Sequence, residues 1–355
     1  MSIGTEVPVA DALPLSRGAC RVVAEAGANH NNSIERAIEM SRLAAEAGAW
    51  AVKFQLYKAG RIASTKSPKY WTDELGTSTQ YEAFRKSDHV DYADYRHVAD
   101  ACREFGIVFF ATPFDVDAVS ALEKIGCPIH KIASGDITNK DLLLELGRTG
   151  KPVLLSTGAS TPDEIDRAIE WLGSDPTRIV PLVCTLTYPT PDPDGHFARL
   201  EEFRRRFDPC LIGTSDHTLG VAGAWMTAAL GGVCIEKHYT IDKSLGEVPD
   251  HAISVDPTEL AEMVRACDRA AVLRGEAWIG IRDSERPARD HARRSLVAAR
   301  DLSQGHIVQR EDFLAKRPGT GMEPWRLDEI LGRPLLKALE ADDILAEDMI
   351  GGMSR

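Results

Sequence analysis

The chain lacks a Cys-x-x-Cys pair, any apolar run approaching the roughly 20 residues that span a bilayer, and any excess of positive charge. Its seven cysteines are odd in number and scattered, which excludes a disulfide frame or zinc ribbon and points to reduced thiols, the state of cytoplasmic proteins. With 42 basic against 54 acidic side chains the formal net charge is -12, which argues against general nucleic-acid binding yet allows an anionic metabolite in a locally basic pocket. The opening "MSIGTEVPVADALPLSRGAC" has no basic start followed by an apolar core, so no secretory signal is expected, and the expectation is a cytoplasmic location with no membrane partner. Low-complexity tracts are absent, and the "GTG" at 319–321 is too short to support a nucleotide loop.

What is present is an alternation. Short β-branched runs, beginning with "RVVAEAG", alternate with helix-length amphipathic segments such as "SIERAIEMSRLAAEAG". The further strand candidates are "AVKFQ", "IVFFAT", "IHKIAS", "PVLLST", "RIVPLVCT", "CLIGTS" and "VCIEKH", making eight in all. Eight β/α units over about 250 residues fit a TIM barrel better than an open doubly wound sheet. The longest interruption, residues 57–88, is too long for a plain βα connection and has the length of a lid or binding loop. Beyond residue 274 the text changes to short strands, Gly and Pro turns and little helical periodicity until "RLDEILG". The expected division is an N-terminal extension 1–19, a barrel 20–274, a linker 275–292 and a small, mostly β domain 293–355.

In such barrels the site lies at the C-terminal strand ends. There the sequence places Glu25, Asn29 and His30; Lys53 and Gln55; Thr112; Lys131 and Ser134; Ser156 and Thr157; Tyr188; Ser215, Asp216 and His217; and Glu236, Lys237 and His238. Each has a bland reading: a strand-end histidine is commonly a hydrogen-bonded structural residue, and Lys53 could simply pair with Glu25. Jointly, two histidines on neighbouring strand ends can approach one divalent ion, and lysines with hydroxyls can cradle phosphate or carboxylate oxygens. "LSTGAS" serves as a helix cap and as an anion site alike. Cys184 and Cys234, inside apolar strands, read as core fillers.

The ordered motifs "EAGANHNN", "AVKFQ", "ATPFD", "KIASGDITN", "KPVLLSTG", "YPTP", "SDHTLG", "IEKHYT", "PDH" and "KRPGTG" resemble the sialic acid synthase family, which also includes legionaminic, pseudaminic and spore-coat polysaccharide synthases. The resemblance implies a TIM barrel followed by a small antifreeze-like (SAF) β domain. It also implies condensation of phosphoenolpyruvate with an open-chain N-acetylated aminosugar, giving a 2-keto-3-deoxy sugar acid and phosphate, with divalent Mn or Mg. By the same resemblance His217 and His238 hold the metal, while Lys53, Thr112, Lys131, Ser134, Ser156 and Ser215 bind phosphoenolpyruvate. Glu25 orients or deprotonates the water that adds to C2, and Gln55, Asp136, Tyr188 and Asp250 contact the sugar. Arg317 matches an arginine that reaches a partner subunit's barrel, which implies a domain-swapped homodimer.

The chain also departs from the family pattern. Leu186 stands where an asparagine near phosphoenolpyruvate is common, Asp136 where glutamate is usual, and His291 where an aromatic sugar neighbour can occur, while "DPDGHFARL" replaces a "YEDVNL" type. An aldose other than N-acetylmannosamine is therefore expected. Two other readings stay open: a metal-dependent aldolase or epimerase, in whose Schiff-base version Lys237 is the lysine to test, and an inactive sugar-binding barrel, for which Leu186 is the best support.

Overall fold

The computed structural model describes residues 15–71, 76–245 and 248–352. The chain divides into two compact units, one ending at Gly275 and one beginning at Glu276. In the first, β1 (Arg21–Gly27), β2 (Ala51–Leu56), β3 (Val108–Pro113), β4 (His130–Ile132), β5 (Val153–Ser156), β6 (Ile179–Cys184), β7 (Gly213–Asp216) and β8 (Cys234–His238) close in sequence order into a parallel barrel. The expected TIM barrel is thus the observed one.

The sequence makes these elements locally. The helix Ile34–Glu46 starts where the Ser33 side chain accepts from the Arg36 amide, and it buries Ala37, Met40, Ser41 and Ala44, one face at helical spacing. The helix Pro162–Leu172 begins with a capping box at Thr161, so the cap is the residue just after "LSTGAS" rather than one within it. The strands are buried on both faces, between the barrel interior and the helices, which is why they read as continuous apolar runs. The period of two survives only where a polar residue faces inward, and those positions form the site.

Among its described residues the 57–88 insertion holds two short helices, Ala59–Ile62 and Gln80–Arg85. An aromatic chain links it to the barrel: Tyr57 packs on Phe114 at 5.8 Å between ring centroids and on Phe84 at 5.5 Å, and Phe84 meets Trp71 at 5.8 Å.

The second unit carries an antiparallel pair, β9 (Ser295–Ala298) with β10 (Phe313–Lys316), around an apolar core that includes Leu296, Phe313, Ile330 and Leu345. A helix, Leu327–Ile330, occurs in "RLDEILG" as read. Another, Arg286–Ala292, was not legible: every residue in it is exposed, so it carries no apolar stripe.

Candidate functional site

A cleft of about 340 Å³ opens at the C-terminal ends of the barrel strands. Glu25, Lys53, Gln55, Thr112, Lys131, Ser134, Ser156, Tyr188, Ser215, His217 and His238 all line it. Phe114, Ala133, Cys184 and Glu236 line it as well, and none of these had a role from the sequence.

Four buried charges, Glu25, Lys53, Lys131 and Glu236, lie together in this cleft. Glu25 and Lys53 are register partners on β1 and β2, and Lys53 Nζ lies 2.7 Å from Glu25 Oε2. The pairing of Lys53 with Glu25 is therefore as the bland reading has it, and Lys53 also lines the cleft. Lys53 also donates to Thr112 Oγ1 at 2.9 Å, and Gln55 donates to Glu25 Oε1 at 3.0 Å. Lys131 donates to Ser156 Oγ at 2.7 Å and to its neighbour's carbonyl. Between the lysines stands Glu236: its Oε1 is 3.6 Å from Lys53 Nζ and 3.6 Å from Lys131 Nζ, and accepts from Ser215 Oγ at 3.3 Å. Its Oε2 is buried without a hydrogen-bond partner. Glu236 was legible in principle, since the strand pleat that turns His238 inward turns residue 236 inward too.

Burial separates the two carboxyls. It raises Glu25 to about 7, the Glu236 carboxylate adding to the rise and Lys53 resisting it. Burial also works against the Glu236 carboxylate, but Lys131 and Lys53 outweigh it and hold that group below its ordinary range. One carboxyl is thus firmly ionised and the other poised near neutrality, the arrangement by which paired carboxyls divide acid and base work. Burial lowers Lys131, whereas for Lys53 the two carboxylates overcome burial and raise it.

Two residues on from Ser215 and Glu236 the lining turns aromatic. His217 and His238 lie 5.4 Å apart between ring centroids, and Tyr188 packs on His217 at 4.2 Å and on His238 at 5.9 Å. His217 Nδ1 is 2.9 Å from the Thr185 carbonyl, to which it must donate, so Nε2 is left for the cleft. His238 Nδ1 is 3.3 Å from Asp250 Oδ2, yet it is buried without a hydrogen bond. Burial, with His217 adding to it, pushes the His238 imidazole well below its usual range and favours its neutral form. Burial also opposes charge on His217, but Cys184 and the Thr185 carbonyl outweigh it and raise it.

Two imidazoles with uncommitted nitrogens, one held neutral, suit a divalent cation of borderline softness. Among the described residues no group of three or more His, Cys, Asp or Glu could hold a metal, so the protein would supply two ligands and leave the other positions to water or substrate.

Some sequence expectations are corrected by the structure. Cys184 is buried but does not merely fill core: it faces the cleft, 3.7 Å from Ser134 Oγ and 3.9 Å from His217 Nδ1. Cys234 is fully buried among apolar residues, as read. Lys237 points away from the cleft and is closed in an ion pair, Nζ to Asp216 Oδ2 2.8 Å, so it is not a Schiff-base lysine. Asp136 and Asp250 are outside that lining: Asp136 accepts from Asn139 at 3.2 Å, and Asp250 Oδ2 lies 3.3 Å from His238 Nδ1. Arg317 belongs to the second unit and is exposed, as is His291. Leu186 lies beside Ser134: a Cβ added to Gly158 would come within 3.0 Å of Leu186 Cβ and 2.9 Å of Ser134 Oγ.

The chain matches known proteins over nearly its whole length. Residues 40–278 match the model of the NeuB family, and residues 293–351 that of the SAF domain. An uncharacterized protein of Methanocaldococcus jannaschii is 37% identical over 332 residues, 93% of this chain and 94% of that protein. An N,N'-diacetyllegionaminic acid synthase of Campylobacter jejuni is 32% identical, covering 92% and 98%. Among solved structures, an N-acetylneuraminic acid (sialic acid) synthetase of Leptospira borgpetersenii in complex with citrate aligns with a TM-score of 0.69 at 31% identity, over 76% of this chain and 90% of that one.

Proposed function

The chain belongs to the NeuB family, and from that premise we propose that it condenses phosphoenolpyruvate with an open-chain aldose to give a 2-keto-3-deoxy sugar acid of the nonulosonate type and inorganic phosphate. The observation that carries the reading is a single cleft lined by two lysines and three serines together with two histidines and a tyrosine. The lysines and serines would bind the anionic groups of a phosphorylated enolate, and the two imidazoles would hold a divalent cation that polarises a carbonyl. The similar legionaminic acid synthase and sialic acid synthetase, by their names, make nonulosonic acids.

In this reading Lys53 and Lys131, with Ser134, Ser156 and Ser215, hold the phosphate and carboxylate, and Thr112 steadies Lys53. Gln55 and Tyr188 meet the sugar, and Asp136 and Asp250 act from the rim. His217 and His238 would hold Mn or Mg, which when bound withdraws electron density from the aldehyde carbonyl. The C2–C3 π electrons of phosphoenolpyruvate form the new bond from C3 to the aldehyde carbon, whose oxygen takes up a proton to become a hydroxyl; water adds at C2, and its proton passes to a carboxylate, Glu25 or Glu236. Phosphate then leaves by C–O cleavage, so phosphoenolpyruvate, aldose and water account for every atom of the two products.

The same reading takes residues 1–19 as an extension, 20–274 as the synthase barrel, 275–292 as a linker and 293–355 as the SAF domain. It also takes the chain to be a cytoplasmic, domain-swapped homodimer in which Arg317 completes the partner's sugar site. The aldolase reading loses support with Lys237 paired.

The test is phosphate release from phosphoenolpyruvate and Mn across a panel of aldoses led by N-acetylmannosamine, with chelator controls. Release that requires one sugar and the metal supports the synthase. Silence across the panel, with neither phosphoenolpyruvate nor metal shifting the melting temperature, refutes it and favours the inactive barrel for which Leu186 speaks.

A further inference from the structure

Behind the two histidines, on the face turned away from the cleft, lies a second buried ion pair. Asp216 on β7 and Lys237 on β8 are register partners, and each immediately precedes a cleft histidine. Lys237 Nζ lies 2.8 Å from Asp216 Oδ2 and also donates to the Thr218 carbonyl, while the Thr218 amide donates to Asp216 Oδ1 at 2.9 Å. The pair thus ties together the end of β7, the turn after His217 and the end of β8. Its side chains are 2% and 0% exposed. A fourth element closes on it: at Gly223, in the helix Ala222–Ala229, a Cβ would collide with the Asp216 carboxylate and come within 2.9 Å of Phe197 Cζ. An ion pair buried this deeply contributes little net stability over an apolar isostere, because desolvation offsets its attraction; what it does contribute is a fixed geometry.

We infer that Asp216 and Lys237, seated against Gly223, are positioning residues that set the separation of His217 and His238 for a divalent cation. This rests on the metal reading above. The pair has no access to substrate; it acts through the two strand ends, much as outer carboxylates orient metal-binding imidazoles elsewhere.

The experiment is titration calorimetry of Mn alone and of phosphoenolpyruvate alone on the full chain, wild type against Asp216→Asn/Lys237→Met. That double variant removes the ion pair without leaving a buried charge unpaired, and the carboxamide oxygen it introduces can still accept from the Thr218 amide. Mn affinity is expected to fall about 10- to 100-fold, with phosphoenolpyruvate affinity unchanged within about threefold and the melting temperature nearly kept. Gly223→Ala, which keeps both charges but displaces the carboxylate, is expected to weaken Mn in the same direction and serves if the double variant does not fold. Unchanged Mn affinity in either folded variant overturns the inference, as does equal weakening of both ligands, which marks general damage. His217→Ala/His238→Ala is the separate arm: if it leaves Mn binding as in wild type, the metal reading itself fails and this inference with it.

Discussion

The barrel buries two sets of opposite charges within one strand of each other, and they are built differently. Inside, Glu25, Lys53, Lys131 and Glu236 stand at contacts that include two of 3.6 Å, with one carboxylate oxygen of Glu236 unpartnered. Outside, Asp216 and Lys237 meet at 2.8 Å, with Thr218 satisfying both. An interior charge set with slack is costly as architecture and useful as a binding site, since an arriving anion can take the donors that the carboxylates hold loosely. The closed pair has nothing left to offer a ligand.

That contrast can be broken or sharpened by substitution. The largest effect is expected at the paired histidines: His217→Ala/His238→Ala should cut phosphate release by about 10³-fold or more, several kcal/mol of transition-state stabilisation. Activity within tenfold of wild type would remove the histidines from the chemistry. Next, Lys237→Met alone leaves Asp216 buried and unpaired and should cost about 3–5 kcal/mol in denaturant unfolding. Glu236→Gln should lower kcat by about 10²- to 10³-fold while costing less stability than Lys237→Met, because its two lysine contacts are long, at 3.6 Å, and the amide oxygen can still accept from Ser215. If Glu236→Gln unfolds the protein and Lys237→Met does not, the assignment of slack and closed sets is inverted.

A smaller, graded effect concerns pH. Glu25 titrates at about 7, and as a base it works only when ionised, so kcat/KM should rise with pH through about 7 and level off above it. The rising limb should vanish in Glu25→Gln; its persistence would assign the titration to another group. Smallest of all, Leu186→Asn should restore a donor next to Ser134 and lower KM for phosphoenolpyruvate by a few fold, the net worth of one hydrogen bond. An unchanged KM would mean that this pocket is complete without it.

The sequence carried the fold because each local rule agreed with the next: β1 is legible to the residue as "RVVAEAG", and the eight runs recur at the spacing of β/α units. It carried most of the cleft because strand ends converge in any barrel of this kind. What it did not carry depends on reach and facing. Glu236, Lys237 and His238 are three adjacent polar residues in the text, but the pleat sends the first and last inward and the middle one out to Asp216. Cys184 looks like any apolar strand residue until Ser134 and His217 close around it. Asp136 sits on a turn beyond β4 and Asp250 on one beyond β8, where loop geometry rather than strand register decides what a side chain meets.

The central claim is that water adds to C2 beside the Glu25 and Glu236 carboxyls and that phosphate leaves with the bridging oxygen. It is tested most directly with phosphoenolpyruvate carrying oxygen-18 at the C–O–P bridge, supplied with the accepted aldose and Mn, followed by mass spectrometry of both products. The account predicts that the label appears in phosphate and that the keto oxygen of the sugar acid comes from water in the initial product. Label retained in the sugar acid, with unlabelled phosphate, would mean P–O cleavage and would contradict it.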